Sequence, residues 1–239
     1  MKAIAVIPAR LGSTRLPRKM LREIEGEPLI VRVYRGVRSC SLLEDVIVAT
    51  DSDEILRVCQ EQGFQARLTS ASCRNGTERV HEISKSVAAD IYINVQGDEL
   101  LAGSAHIEAL LSLMRNAEVQ VGSLKTPAAA EDVNNPNAVK IVTDDKGRAL
   151  YFSRAPIPWD RDGVNPVYYK HLGFYAYRKA ALDDYAQWPE SRLEKSERLE
   201  QLRFLENGIP IHVAEIGHDT IRVDAPEDLL KAEEILRRP

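Results

Sequence analysis

Arg10, Arg15 and Lys19 share one short stretch with two hydroxyls, Ile7-Pro8-Ala9-Arg10-Leu11-Gly12-Ser13-Thr14-Arg15-Leu16-Pro17-Arg18-Lys19, directly after the apolar run Ala3 to Ile7. Cationic side chains among backbone N–H groups suit a polyanion such as a nucleoside triphosphate. A solvated basic turn would use the same residues, so the stretch alone leaves both readings open. A second polar loop, Arg74-Asn75-Gly76-Thr77-Glu78-Arg79, enters a helix, where small residues and N–H groups can approach a base or a phosphate; it also reads as a plain helix cap.

Two carboxylate-bearing stretches complete the candidate chemistry. In Asn94-Val95-Gln96-Gly97-Asp98-Glu99, Asp98 follows a buried strand and a glycine, a placement suited to holding Mg²⁺ beside phosphate oxygens; Glu99 would share that duty or be solvated, and a turn-forming Gly-Asp pair is the structural alternative. Asp224 in Val223-Asp224-Ala225-Pro226-Glu227-Asp228 reads either as the cap of a proline-started helix or as a second metal-binding carboxylate. There is no G-x-x-x-x-G-K-[ST], G-x-G-x-x-G or G-x-S-x-G, and the five histidines lack metal-ligand spacing. P-loop, dinucleotide, serine-nucleophile and zinc chemistries are therefore weakly supported.

These residues need a scaffold that brings strand ends together. Ala3 to Ile7, Val46 to Ala49, Ala66 to Thr69, Ile91 to Val95 and Val119 to Leu124 read as strands. Between them, helices are expected over Pro28 to Arg38, from Thr50 with Asp51 and Glu54 as a capping box, over Glu78 to Val87, and around Ile107 to Met114. That alternation predicts an α/β fold with a mostly parallel sheet flanked by helices, which binds ligands at the carboxyl ends of its strands. Further on, Val139 to Val142 and Ala149 to Phe152 read as a hairpin, Ser153 to Pro166 as a proline-rich loop or arm, and Tyr168 to Tyr177 as a strand. Leu193 to Glu206 is expected to be one helix ending before Gly208, Ile211 to Glu215 a strand, and Pro226 to Leu236 a closing helix with Leu229, Leu230, Ile235 and Leu236 inward. A single domain is expected, with halves at about 1–125 and 126–239.

The composition of the 239 residues, 44% hydrophobic and 28% charged with a net charge of −4, is that of a globular protein with a large core and argues against broad nucleic-acid or membrane binding. Cys40, Cys59 and Cys73 form no paired motif, so a reducing cytoplasm is expected; no leader and no apolar run near 18 residues indicates export or membrane insertion.

Taken together, the motifs resemble those of the CMP-Kdo synthetases, the 3-deoxy-D-manno-octulosonate cytidylyltransferases. The resemblance rests on the opening loop, Asn75 to Arg79, Asn94 to Glu99 and Asn135-Pro136-Asn137-Ala138-Val139-Lys140. It continues through Ala149-Leu150-Tyr151-Phe152-Ser153-Arg154, Pro158-Trp159-Asp160-Arg161, His171-Leu172-Gly173-Phe174-Tyr175-Ala176-Tyr177-Arg178, Leu199-Glu200-Gln201-Leu202-Arg203 and Val223 to Leu229, in order and end to end.

What the resemblance implies is a nucleotidyltransferase-type, Rossmann-like fold with an inserted sugar-binding and dimerisation region, working as a cytoplasmic homodimer. The reaction is CTP plus Kdo giving CMP-Kdo and pyrophosphate, with Mg²⁺, for lipopolysaccharide synthesis. By matched position, Arg10, Arg15 and Lys19 would neutralise the triphosphate and Pro8 and Ala9 would bind substrate, with Lys19, Arg15, Asp98 and Asp224 catalytic. Asn75, Gly76 and Arg79 would line the cytosine and ribose, and Asp98 and Asp224 would hold magnesium. Gln96, Arg154, His171, Tyr175, Glu200 and Gln201 would surround the sugar acid, with Arg154 or Arg15 facing its carboxylate. Helical spacing is expected to put Glu197, Glu200 and Gln201 on one turn. The sequence departs from the family pattern at Arg18, Asn75, Leu100 and Arg222, where a small residue, serine, proline and glycine are respectively usual. Activation of a related sugar acid such as 8-amino-Kdo, or a non-catalytic nucleotide-binding regulator, are the competing readings.

Overall fold

The computed structural model of the chain describes residues 1–13 and 15–237. Thr14 of the opening loop lies outside the described residues. Two compact units form, Met1–Glu108 with Thr220–Pro239, and Ala109–Asp219.

The first unit begins with β1 (Ala3–Ala9), whose run of small and branched residues is buried almost throughout, as a central parallel strand requires. After the opening loop come a single 3₁₀ turn at Lys19–Leu21, the short hairpin of β2 (Glu23–Ile24) and β3 (Glu27–Pro28), and α1 (Leu29–Arg38). The apolar positions expected for α1, Ile30, Val33, Tyr34 and Val37, are all buried. Next follow β4 (Asp45–Thr50), α2 (Asp53–Glu61), β5 (Ala66–Leu68), α3 (Gly76–Ser84), β6 (Ile91–Val95), β7 (Glu99–Leu100) and α4 (Ser104–Leu113), whose residues from Ala109 on are counted in the second unit. The order β5-β4-β1-β6 is parallel throughout, with Val6 level with Ile47 on one side and Asn94 on the other. Helices α1, α2 and α3 pack on these strands. The cap of α2 differs from expectation: Ser52, not Asp51, is the N-cap and accepts from the Ile55 N–H, which leaves Asp51 available to pair with Arg79.

The second unit contains β8 (Val121–Pro127), α5 (Ala130–Val133), β9 (Lys140–Thr143), β10 (Ala149–Ser153), β11 (Tyr169–Arg178), α6 (Lys179–Gln187), α7 (Arg192–Glu197), α8 (Leu202–Glu206) and β12 (Ile211–Glu215). Its strands run in the order β10-β9-β11-β8-β12, antiparallel except for the parallel β8–β12 pair. The register of β11 against β8 shifts between Leu172 and Tyr175, a bulge that leaves Gly173 and Phe174 out of the regular ladder.

The single helix expected over Leu193 to Glu206 is instead two. Arg198 ends α7 in the left-handed region at φ 54°, and the chain turns before α8 begins. A buried guanidinium explains the fold-back: Arg203 in α8 donates from Nε and Nη2 to both carboxylate oxygens of Glu194 in α7, at 2.7 and 2.6 Å, and lies over the Tyr185 ring. A continuous helix would spread residues nine apart along about 13 Å of axis, beyond reach of this paired contact.

Thr220 returns the chain to the first unit, through β13 (Ile221–Arg222) and α9 (Pro226–Leu236). The inward face expected for α9 is only partly realised. Ala232 is buried, but Leu230 is 70% exposed and Ile235 39%, because the helix rests on the short strands β13 and β2, which are too small to cover it.

Candidate active site

In the first unit, two remote carboxylates meet at one ammonium. Strand β13 pairs antiparallel with β7, setting Ile221 against Leu100 and Arg222 against Glu99, and the Val223 N–H donates to the Asp98 carbonyl at 3.0 Å. That two-strand clasp carries Asp224 to Asp98 across more than half the chain. Lys19 Nζ then reaches Asp98 Oδ2 at 2.5 Å and Asp224 Oδ1 at 2.9 Å, with all three side chains nearly buried. Arg15 pairs with Asp224 Oδ2 at 3.0 Å, and Arg222 Nε lies 3.2 Å from Asp224 Oδ2 and 3.5 Å from Asp98 Oδ2.

Burial by itself would raise the Asp98 pKa. The charges of Arg222 and Lys19, with the Lys19 hydrogen bond, outweigh it and hold the carboxyl down at about 2. Asp98 is therefore an anion at neutral pH despite its burial. The approach of the Asp98 turn to β1 is close: a Cβ at Gly97 would lie 2.8 Å from the Pro8 carbonyl oxygen and 2.9 Å from Met20 Sδ. Glu99 is not solvated: it is buried and accepts from Thr220 Oγ1, bracing the clasp.

The other residues expected to meet the nucleotide also belong to this unit. Pro8 and Ala9 end β1 and Arg10 is exposed just beyond it. Asn75 is the N-cap of α3, accepting from the Glu78 N–H at 2.9 Å, and Gly76 is the first helical residue. Arg79 is buried and donates to Thr69 Oγ1 at 2.6 Å and to Asp51. Gln96 lies half-buried between β6 and Gly97.

The residues assigned to a sugar acid belong to the second unit, apart from Gln96. His171 and Tyr175 lie on β11, their rings 5.3 Å apart, and His171 meets Phe152 edge-on. Arg154 follows β10: its Nε donates to the Glu197 carbonyl and its Nη1 to the Pro136 carbonyl, both at 2.8 Å. Glu197 accepts in turn from Ser153 Oγ at 2.6 Å and from the Arg154 N–H at 3.0 Å. The one-turn array expected for Glu197, Glu200 and Gln201 does not form, because the chain turns at Arg198; Glu197 braces the Arg154 segment instead. Gln201 is 3% exposed and its Nε2 has no hydrogen-bond partner. A buried unsatisfied donor costs about 1–3 kcal/mol, which a bound acceptor would recover.

Arg222 and Ser123 are neighbours of the candidate residues that spacing did not disclose. Arg222 reaches the carboxylate pair only through the β7–β13 pairing, and Ser123 meets His171 only through the β11 bulge. Neither residue carries a local motif.

The parallel α/β sheet of the first unit thus carries a basic loop and Asp98, and the β7–β13 clasp brings Asp224, to one buried ammonium. The chain belongs to the cytidylyltransferase family, whose model it matches over residues 4–216. A relative from Koribacter versatilis named 3-deoxy-manno-octulosonate cytidylyltransferase is 63% identical, over 99% of this chain and 91% of its own length. One of the same name from Acidobacterium capsulatum is 53% identical over 99% of this chain and 97% of its own. A solved structure of CMP:2-keto-3-deoxy-manno-octonic acid synthetase complexed with CTP superposes at a TM-score of 0.93 with 41% identity, covering 99% of this chain and 98% of that one.

Proposed function

We propose that this cytidylyltransferase transfers CMP from CTP to the anomeric hydroxyl of Kdo. The hydroxyl oxygen bonds to the α-phosphorus, the bond from that phosphorus to the β-phosphate oxygen breaks, pyrophosphate leaves, and the hydroxyl proton passes to solvent. The 63% identity to a 3-deoxy-manno-octulosonate cytidylyltransferase along 99% of the chain carries this reading. The product serves lipopolysaccharide synthesis. Such a transfer depends on alignment and charge neutralisation rather than a covalent intermediate, in keeping with the acidic and basic groups at this site.

Arg10, Arg15 and Lys19 neutralise the triphosphate, and Lys19 meets the charge that develops on the departing pyrophosphate. Asn75, Gly76 and Arg79 line the cytosine and ribose. His171, Tyr175, Glu200, Gln201, Gln96 and Arg154 take the sugar acid; the unsatisfied Nε2 of Gln201 supports the assignment of that residue. Asp98 and Asp224 fit a magnesium ion: both carboxylates face one cation, and Mg²⁺ is commonly held by one or two carboxylates with phosphate oxygens and water. When bound there, Mg²⁺ stabilises the phosphate charge. A cytoplasmic location fits three free cysteines and the use of CTP. A homodimer fits the exposed Trp159, Val164 and Val167 of the arm in the second unit. Among the described residues no helix is long and apolar enough to cross a membrane.

Pyrophosphate release from the purified protein with CTP, Mg²⁺ and Kdo tests the reaction, run against 8-amino-Kdo, sialic acid and the other three nucleotides. Kdo with CTP is expected to give turnover, and Asp98→Ala to lose at least about a hundredfold of it. CTP binding without turnover on any sugar acid would refute the enzyme reading, and turnover with 8-amino-Kdo alone would reassign the substrate.

A further inference from the structure

Strands β8 and β11 carry a contact that determines which nitrogen of His171 bears a proton. Ser123 is fully buried on β8. Its Oγ lies 2.8 Å from the Phe174 carbonyl oxygen and 3.0 Å from His171 Nε2. A carbonyl oxygen only accepts, and a serine hydroxyl has one proton. The hydroxyl proton therefore points to Phe174, and the lone pairs of Oγ face the imidazole. His171 Nε2 must then be the donor. In the neutral ring this leaves Nδ1 as the acceptor.

The β11 bulge makes the arrangement. Leu172 pairs with Leu124 and Tyr175 with Ser123, so Gly173 and Phe174 are additional to the ladder and the Phe174 carbonyl reaches the Ser123 hydroxyl. In a regular register that carbonyl would follow the alternating ladder pattern. Ring contacts hold the imidazole from other directions: Phe152 edge-on with centroids 5.0 Å apart, and Tyr175 tilted at 5.3 Å.

We infer that Ser123 is a positioning residue that holds His171 as the Nε2–H tautomer, so that its Nδ1 reads a hydroxyl of the sugar acid rather than its carboxylate. An acceptor nitrogen attracts a hydroxyl proton and disfavours an anionic oxygen, so the tautomer contributes to sugar specificity. This rests on the assignment of His171 to the sugar acid made above; the tautomer itself does not.

The test joins a spectrum to kinetics on the full-length protein. Nitrogen-15 spectra of histidine-labelled wild type, taken above the imidazole titration and assigned with His171→Gln, should show a pyrrole-type Nε2 and a pyridine-type Nδ1 at His171. Ser123→Ala should shift this population and raise the KM for Kdo roughly tenfold, the scale of one lost hydrogen-bond contribution, with the KM for CTP unchanged. Ser123→Thr, which keeps a hydroxyl, should retain the wild-type tautomer.

A protonated Nδ1 in the wild type would overturn the inference, and this measurement requires no variant to fold. An unchanged tautomer in Ser123→Ala would remove the role of Ser123. A changed tautomer with an unchanged KM for Kdo would overturn the link to the sugar. Failure of the functional reading would show separately, as absence of wild-type turnover on Kdo with the tautomer intact.

Discussion

Replacing Lys19 by methionine keeps most of the side-chain volume and removes the ammonium on which two buried carboxylates converge. In the native chain Nζ lies 2.5 and 2.9 Å from them, with side-chain exposures of 11% for Lys19, 9% for Asp98 and 12% for Asp224. The remaining cations compensate only in part, since the Arg15 and Arg222 side chains are 51% and 42% exposed and screened by water. Removing one partner from a buried ion pair costs about 3–5 kcal/mol. At about 2–4 °C per kcal/mol for a chain of this size, the melting temperature in EDTA should fall by roughly 6–20 °C. Mg²⁺ should restore more stability to Lys19→Met than it adds to the wild type, because it supplies the charge the carboxylates have lost and binds the folded state. Turnover should fall more than CTP affinity if Lys19 acts on the departing pyrophosphate. Thermal unfolding monitored by fluorescence, with and without Mg²⁺, is the assay. A drop below about 2 °C in EDTA would contradict the buried-pair cost taken here. An equal Mg²⁺ response in the two proteins would refute the claim that Lys19 and the metal serve the same carboxylates.

Two further outcomes follow from packing and burial. Gly97→Ala should destabilise the protein by about 1–3 kcal/mol in urea unfolding, since the added Cβ meets the Pro8 carbonyl, which cannot move as freely as the Met20 thioether; a wild-type midpoint would contradict that contact. Thiol labelling at pH 8 should be slow in the native state and reach three equivalents in denaturant. Cys40 is buried away from reagent; burial pushes the Cys59 thiol up to about 11, and burial with the Glu82 hydrogen bond pushes Cys73 up to about 12, so at these two positions thiolate forms only at strongly alkaline pH. Rapid reaction at Cys73 would show that its contact with Glu82 is not maintained.

Much of the first unit is legible because its signals are local. The buried runs of β1, β4 and β6 and the apolar stripe of α1 follow from side-chain period alone, and the basic loop and the Asp98 turn lie where a strand breaks at Pro or Gly. Less local assignments fail for identifiable reasons. Asp51 and Ser52 are both good caps; the chain uses Ser52, while Asp51 pairs with Arg79, 28 residues away, a contact that local sequence does not record. The periodic stretch Leu193 to Glu206 would continue as one helix, were its turn at Arg198 not secured by the buried Glu194–Arg203 pair.

The amino-acid order by itself therefore determined the parallel α/β elements, the residue types of the basic opening loop and, through motifs in unbroken succession, the family. Tertiary structure alone decided that Asp98 and Asp224 share one ammonium, that Arg222 joins them, and that Ser123 faces His171. The physical reason is the same in each case. Strand pairing between β7 and β13, and a bulge between β8 and β11, join residues by backbone hydrogen bonds whose partners are remote in sequence, and no side-chain periodicity records which strand end will meet which.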